Sequence, residues 1–191
     1  SQEFKNSDSQ RGFVRGYTLQ AIRGPLPIEA SINLLNSKQI SLGENFVSQF
    51  LSKYNHTAHL AVITEDLPES ENRVILDSSD YSPDILPGVK INYKLSQNTK
   101  RMLIHGLDNG RKILKKAGAI NTSAFGPIRH TGWHTLGTCR MGNDPNESVV
   151  NRDGKTHDFE NLFIVDASVF PTSSSVNPAS TIQAISLYIS N

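Results

Sequence analysis

Residues 99–117 limit more than any other stretch what this chain can fold into. Leu103, Leu107, Leu114 and Ala117 share one helical face, Asn98 or Thr99 is available as a cap, and Gly118 stands where a helix closes in left-handed backbone. Gly106 and Gly110 interrupt this helix from within, and each costs about 1 kcal/mol relative to alanine. Being four apart they face the same way. The compensation the sequence predicts is close packing of that face against another element.

Strand patterns supply such an element. They fall at 12–19 (GFVRGYTL), 59–64 (HLAVIT), 73–76 (RVIL) and 89–95, where Val89, Ile91, Tyr93 and Leu95 alternate with polar residues. The last three, joined by linkers rich in Asp, Ser, Pro and Gly, suit an antiparallel sheet. Alternation in the third predicts one covered face and one exposed or ligand-facing face. The first dozen residues are polar and read as frayed, and Gly24-Pro25-Leu26-Pro27 forces a loop. Over 43–54 the stripe Phe46, Val47, Phe50, Leu51 and Tyr54 predicts a helix packed on one face. After Gly126-Pro127 come a His-rich segment, a Gly/Asp/Asn loop to Gly154, an apolar strand at 162–165, a Pro/Ser loop and a last helix from about Pro178. The expected fold class is α+β. Residues 1–130 form an antiparallel sheet with packed helices, and residues 131–191 carry the strand–loop–helix terminus of an α/β domain.

Composition excludes several functions. Nineteen basic and eighteen acidic residues leave a net charge of +1, so no global field argues for nucleic acid or an anionic membrane. Apolar residues at 37% and charged residues at 19% exclude disorder by composition. No apolar run approaches the roughly 20 residues of a membrane span, and a soluble chain is expected, cytoplasmic and periplasmic locations being equally open. The single Cys139 rules out an intramolecular disulfide and any cysteine-only zinc site. None of the 13 glycines stands two positions from another. There is therefore no G-x-G dinucleotide fingerprint.

Three histidines, His130, His134 and His157, come next. His130 and His134 have the spacing of a zinc pair, with Cys139 as a further ligand. However, Thr131 stands where a general-base glutamate belongs and Gly132 weakens a helix there, so no metal site is expected. Gly132 and Gly137 have the separation of a P-loop, but Thr138 replaces its lysine. Cys139 is either a nucleophile activated by His134 or, the better reading, a small buried thiol. Ser173, Ser174 and Ser175 lack a G-x-S-x-G elbow and read as loop residues.

Two segments carry the functional signal. One is 133–142 (WHTLGTCRMG); the other is 165–168 (VDAS), followed by 176–181 (VNPAST). Taken separately, His134 reads as a structural histidine and Asn177-Pro178 as a helix start, Asn at the N-cap and Pro at the first helical position. A helix starting there presents free N–H groups and a positive dipole end to negative charge. Histidine is also the side chain best suited to take a proton from an alcohol near neutral pH.

Together these segments resemble the C-terminal signature of the glucose–methanol–choline (GMC) family of FAD-dependent oxidoreductases. His134, Gly137, Thr138, Met141 and Gly142 match its H-x-x-G-T-x-x-M-G segment. Asp166, Ala167 and Ser168 match its D-[AG]-S strand end, and Asn177 takes the second catalytic place about ten residues on. The resemblance implies that His134 is the base removing the hydroxyl proton while hydride passes from the alcohol carbon to flavin N5. Asn177 would hydrogen-bond the substrate oxygen. Asp166 and Ala167 would approach the ribityl–pyrophosphate part of FAD, and Pro178 and Ala179 the pyrimidine edge of its ring, with Asn177 counted among the cofactor contacts as well. It further implies a small alcohol or sugar as substrate. Its partner would be an N-terminal FAD-binding part of the same protein, bearing the G-x-G-x-x-G that these residues lack. The 191 residues are accordingly expected to be a piece of a longer flavoenzyme, inactive alone. A hydroxynitrile lyase of the same family and a non-catalytic remnant are the alternatives.

Overall fold

In the computed structural model the described residues are 2–3, 8–77, 87–128 and 132–190. His130, and with it the zinc pair and the boundary at residue 130, lies outside them. The elements in chain order are β1 (Gln2–Glu3), β2 (Tyr17–Ile22), α1 (Pro27–Asn36), α2 (Phe46–Tyr54), β3 (His59–Thr64), β4 (Arg73–Asp77), β5 (Gly88–Asn92), α3 (Gln97–Lys116) and α4 (Ala179–Ser190). The architecture is α+β, with small antiparallel sheets and four helices among the described residues.

The long helix forms as its pattern predicts, with a different cap. Ser96 opens α3, its hydroxyl accepting from Thr99 N at 3.1 Å, and Gly118 follows the helix at φ 97°. Asn98 does other work. Its amide accepts from Val14 N at 2.8 Å and donates to Val14 O at 3.1 Å, fastening the start of α3 to the chain before β2. The two glycines meet the sheet as expected: a Cβ on Gly106 would lie 2.5 Å from Val62 Cγ1 and 3.3 Å from the Tyr17 ring, whereas one on Gly110 would sit 3.9 Å from Leu19. Phe13, Tyr17, Leu19 and Met102 form the core at this contact, with Val62 packed against it. Tyr17 is fully buried, so its hydroxyl needs partners; it lies 2.8 Å from His105 Nδ1 and accepts from Asn109 Nδ2 at 2.7 Å.

The sheet differs from expectation. The three candidate strands do not join into one sheet: β3 pairs antiparallel with β2, which also pairs with β1, while β4 and β5 form a separate two-stranded ribbon. The first strand starts only at Tyr17, because Gly12 at φ 73° and Arg15 at φ 70° break the extended backbone before it. Alternation in β5 covers no face here. Val89, Ile91 and Tyr93 are 63%, 73% and 59% exposed, as are their cross-strand neighbours Leu76 and, to a lesser extent, Val74.

A helix unseen in the sequence follows the Pro/Gly loop. Pro27 does not extend that loop but occupies the first turn of α1, where its missing N–H costs nothing. In α2 the ring stripe forms, with Phe46 on Phe50 and Phe50 on Tyr54 at centroid distances of 6.3 and 4.9 Å. None of its residues is fully buried. The apolar segment 162–165 is not a strand. Phe163 makes one isolated antiparallel bridge to Lys155, carried by Thr156 N donating to Leu162 O and Ile164 N to Gly154 O, each at 2.9 Å, and the pairing extends no further. No helix among the described residues is long and apolar enough to cross a membrane.

Candidate active site

A short backbone ladder joins the two segments singled out in the sequence. Gly137 N, Cys139 N and Met141 N donate to the carbonyls of Ala167, Ser168 and Val169 at 3.4, 2.9 and 2.8 Å. The three carbonyls belong to a 3₁₀ turn, Ala167–Val169, which Asp166 opens by accepting from Ser168 N at 2.8 Å. These bonds from Ser168 hold the Asp166 carboxyl below its ordinary range. Gly137 has φ 83°, and a Cβ there would stand 3.0 Å from Phe170 O. The motif glycine is thus the residue that lets the histidine segment lie against the turn.

His134 is half-buried on irregular backbone three residues before Gly137. Its ring has no hydrogen-bond partner among the described residues, and no hydrogen bond there joins it to Asn177. Cys139 is a half-buried free thiol. His157 is engaged elsewhere, its Nε2 2.9 Å from Ser148 Oγ. An open hollow of about 550 Å³ lies over Met141, Gly142 and Pro171, and neither His134 nor Asn177 lines it.

The loop that leads to α4 is fastened at alternate residues, first to the chain just after β3 and then to β2. Ser173 Oγ donates to Asp66 O at 2.8 Å, Ser175 Oγ accepts from Thr18 Oγ1 at 3.4 Å, and Asn177 Oδ1 accepts from Gln20 Nε2 at 3.0 Å. The Asp66 carboxylate accepts in turn from the Tyr93 hydroxyl, whose phenol is pushed above its ordinary range by partial burial first and by Asp66 second, although the residue as a whole stays largely exposed. Asn177 is therefore not the helix cap: the first helical bond, from Ile182 N at 2.9 Å, goes to Pro178 O, so the start lies one residue later than expected. α4 is held from its far side by Ser186 Oγ, which donates to Val165 O.

Strand periodicity explains the division of labour on β2. Successive side chains point to opposite faces; Tyr17 and Leu19 meet the glycine face of α3, while Thr18 and Gln20 meet the loop. Gln20, Thr18, Asp66 and Tyr93 were not recognised from sequence. Only the polar pair Thr18 and Gln20, two apart between apolar neighbours, offered a signal.

The residues assigned to a cofactor lie at or near the surface. Asp166 and Ala179 are exposed, Ala167 and Pro178 half-buried. An exposed carboxylate suits the hydroxyls of a ribityl chain. The first backbone N–H groups of α4, which have no intrahelical acceptor, suit the pyrimidine carbonyl and its partial negative charge. This donor set fits the flavin half of FAD, and no glycine-rich phosphate cradle stands among the described residues.

The GMC oxidoreductase family model matches residues 68–186, more than half of the chain, and the chain belongs to that family. The 2-methyl-1,2-propanediol dehydrogenase of Mycolicibacterium austroafricanum is 32% identical over 188 residues, covering 98% of this chain and 34% of that protein. Paromamine 6'-oxidase of Streptomyces fradiae is 36% identical over 129 residues, covering 67% and 24%. Pyridoxine 4-oxidase of Mesorbium loti, a solved structure, aligns with a TM-score of 0.47 and 24% identity over 56% of this chain and 25% of that one. The chain spans about a third or less of the length of these relatives.

Proposed function

We propose that these residues are the C-terminal part of an FAD-dependent oxidoreductase acting on the CH–OH group of a small alcohol, polyol or sugar. In this reading residues 1–130 belong to the substrate side and residues 131–191 carry the catalytic histidine and the closing part of the FAD-binding domain. The observation that supports it best is the ladder from residues 137–141 to the Ala167–Val169 turn. It sets the histidine segment against the 166–169 turn, which supports reading the two motifs as parts of one site. His134, with no competing hydrogen bond among the described residues, takes the hydroxyl proton. Asn177 donates from its amide to the substrate oxygen as negative charge grows there. Asp166 and Ala167 would hold the ribityl end of FAD, and the backbone of Pro178 and Ala179 its pyrimidine edge. When bound, FAD supplies the hydride acceptor at N5, so proton and hydride leave the alcohol for different sites and a carbonyl product remains. The names of the two relatives suggest 2-methyl-1,2-propanediol and paromamine as first substrates to try.

The test is single-turnover flavin reduction by such an alcohol in the intact, oxygen-free enzyme. His134→Ala should slow it by about 10²- to 10⁴-fold, the usual contribution of a general base, while FAD stays bound. A variant reducing its flavin within a few-fold of wild type would remove His134 from the reaction. An intact enzyme whose flavin no alcohol reduces would exclude the redox assignment.

A further inference from the structure

An asparagine beside a reacting oxygen can present either end of its amide, the donor NH₂ or the acceptor carbonyl, and the two ends have opposite effects on a developing alkoxide. Nothing within the 173–177 loop decides which end faces outward. In this structure Asn177 does not spend its carbonyl on the helix that follows, since the first helical bond goes to Pro178 O. Its Oδ1 is instead taken by Gln20 Nε2 at 3.0 Å, a residue on a different element and 157 positions away in the chain. With Oδ1 taken by Gln20, the NH₂ group is the end of the Asn177 amide left without a bond to Gln20.

We propose that Gln20 is a positioning residue that fixes the Asn177 amide with its NH₂ group toward the substrate oxygen. The inference rests on the role given to Asn177 in the preceding section. The surrounding contacts make Gln20 fit for the task. It lies in β2, inside the paired register Gln20↔Ala61, so its backbone is held by the sheet. Thr18, on the same face, holds Ser175 in the same way, so the loop runs in register with the strand for two successive contacts. Tyr17 and Leu19, on the opposite face, are locked in the core. The strand is therefore a rigid support, and Gln20 transmits that rigidity to the amide.

The test compares two substitutions in the intact holoenzyme. Gln20→Met removes the donor. Gln20→Glu keeps the shape but, when ionised, can only accept, and so favours the reversed Asn177 amide. If Gln20 served packing alone, Gln20→Glu would be the milder change. Positioning predicts the reverse order: flavin reduction slower by about three- to tenfold in Gln20→Met, and slower still in Gln20→Glu, with the loss in kcat rather than KM. In an Asn177→Ala background, where flavin reduction is already slowed, neither change should cost anything further. A neutron structure of the Gln20→Met holoenzyme, which distinguishes the NH₂ end from the carbonyl, should show the Asn177 amide in more than one orientation. Four results would overturn the proposal: wild-type rates in both Gln20 variants, Gln20→Glu as the milder change, additive losses in the Asn177→Ala background, or an Asn177 amide whose orientation is unchanged. If Asn177→Ala itself reduces its flavin normally, the role of Asn177 and this inference fall together. If that variant is slow while the Gln20 variants are not, this inference alone falls.

Discussion

With φ at 83° and Phe170 O 3.0 Å from where a Cβ would stand, Gly137 leaves no room for a side chain. Gly137→Ala should therefore destabilise the intact enzyme by about 1–3 kcal/mol, seen as a lower midpoint of thermal unfolding. It should also slow flavin reduction, although it alters no residue that meets alcohol or flavin. An unchanged midpoint and rate would show that the ladder tolerates displacement. This glycine was readable in the sequence because a motif is a local pattern. Gln20 and Asp66 were not: their loop partners lie 157 and 107 positions away, and no local periodicity marks a hydrogen bond across that separation. Asn177 stands between these cases. It was singled out in the sequence, but its reading as a helix cap failed because its side-chain carbonyl accepts from Gln20 instead.

Among the elements, α3 offers the cleanest contrast. Its two interior glycines look alike in sequence and have different surroundings. Gly106→Ala drives a methyl to 2.5 Å from Val62 Cγ1, while Gly110→Ala makes an ordinary 3.9 Å contact with Leu19. The first should cost about 1–3 kcal/mol through overpacking; the second should gain up to about 1 kcal/mol of helix propensity. Denaturant unfolding of the two variants checks the sign as well as the size, and equal effects would contradict the packing described. The helical stripe of α3 and the apolar, β-branched run of β3 were legible from sequence. Elements governed by backbone details were not: α1 was hidden because proline serves equally to break a helix or to begin one. Sheet membership was also hidden, since the apolar run of β3 reads the same whether it pairs with β2 or β4.

At the scale of the whole molecule, the expected α/β terminus reduces to a turn, a loop and a helix, because the 162–165 segment makes a single bridge instead of a ladder. No glycine-rich phosphate cradle stands among the described residues. Purified alone, the 191 residues should be colourless, and stoichiometric yellow flavin in that preparation would contradict this. The segments that gave the family were legible because chemistry restricts residue type at fixed spacing; how they are held together was not, because that depends on backbone bonds any sequence can make. The two-sidedness of β2 has a consequence for anyone evolving such an enzyme in the laboratory. Variation at Tyr17 and Leu19 will be purged by loss of fold before activity is ever sampled. Thr18, though it faces the loop, is itself buried, so variation there is filtered by folding as well. Variation at the half-buried Gln20 reaches Asn177 without opening the core, and a library confined to that one codon would sample changes at the loop while leaving the selection for folding almost untouched.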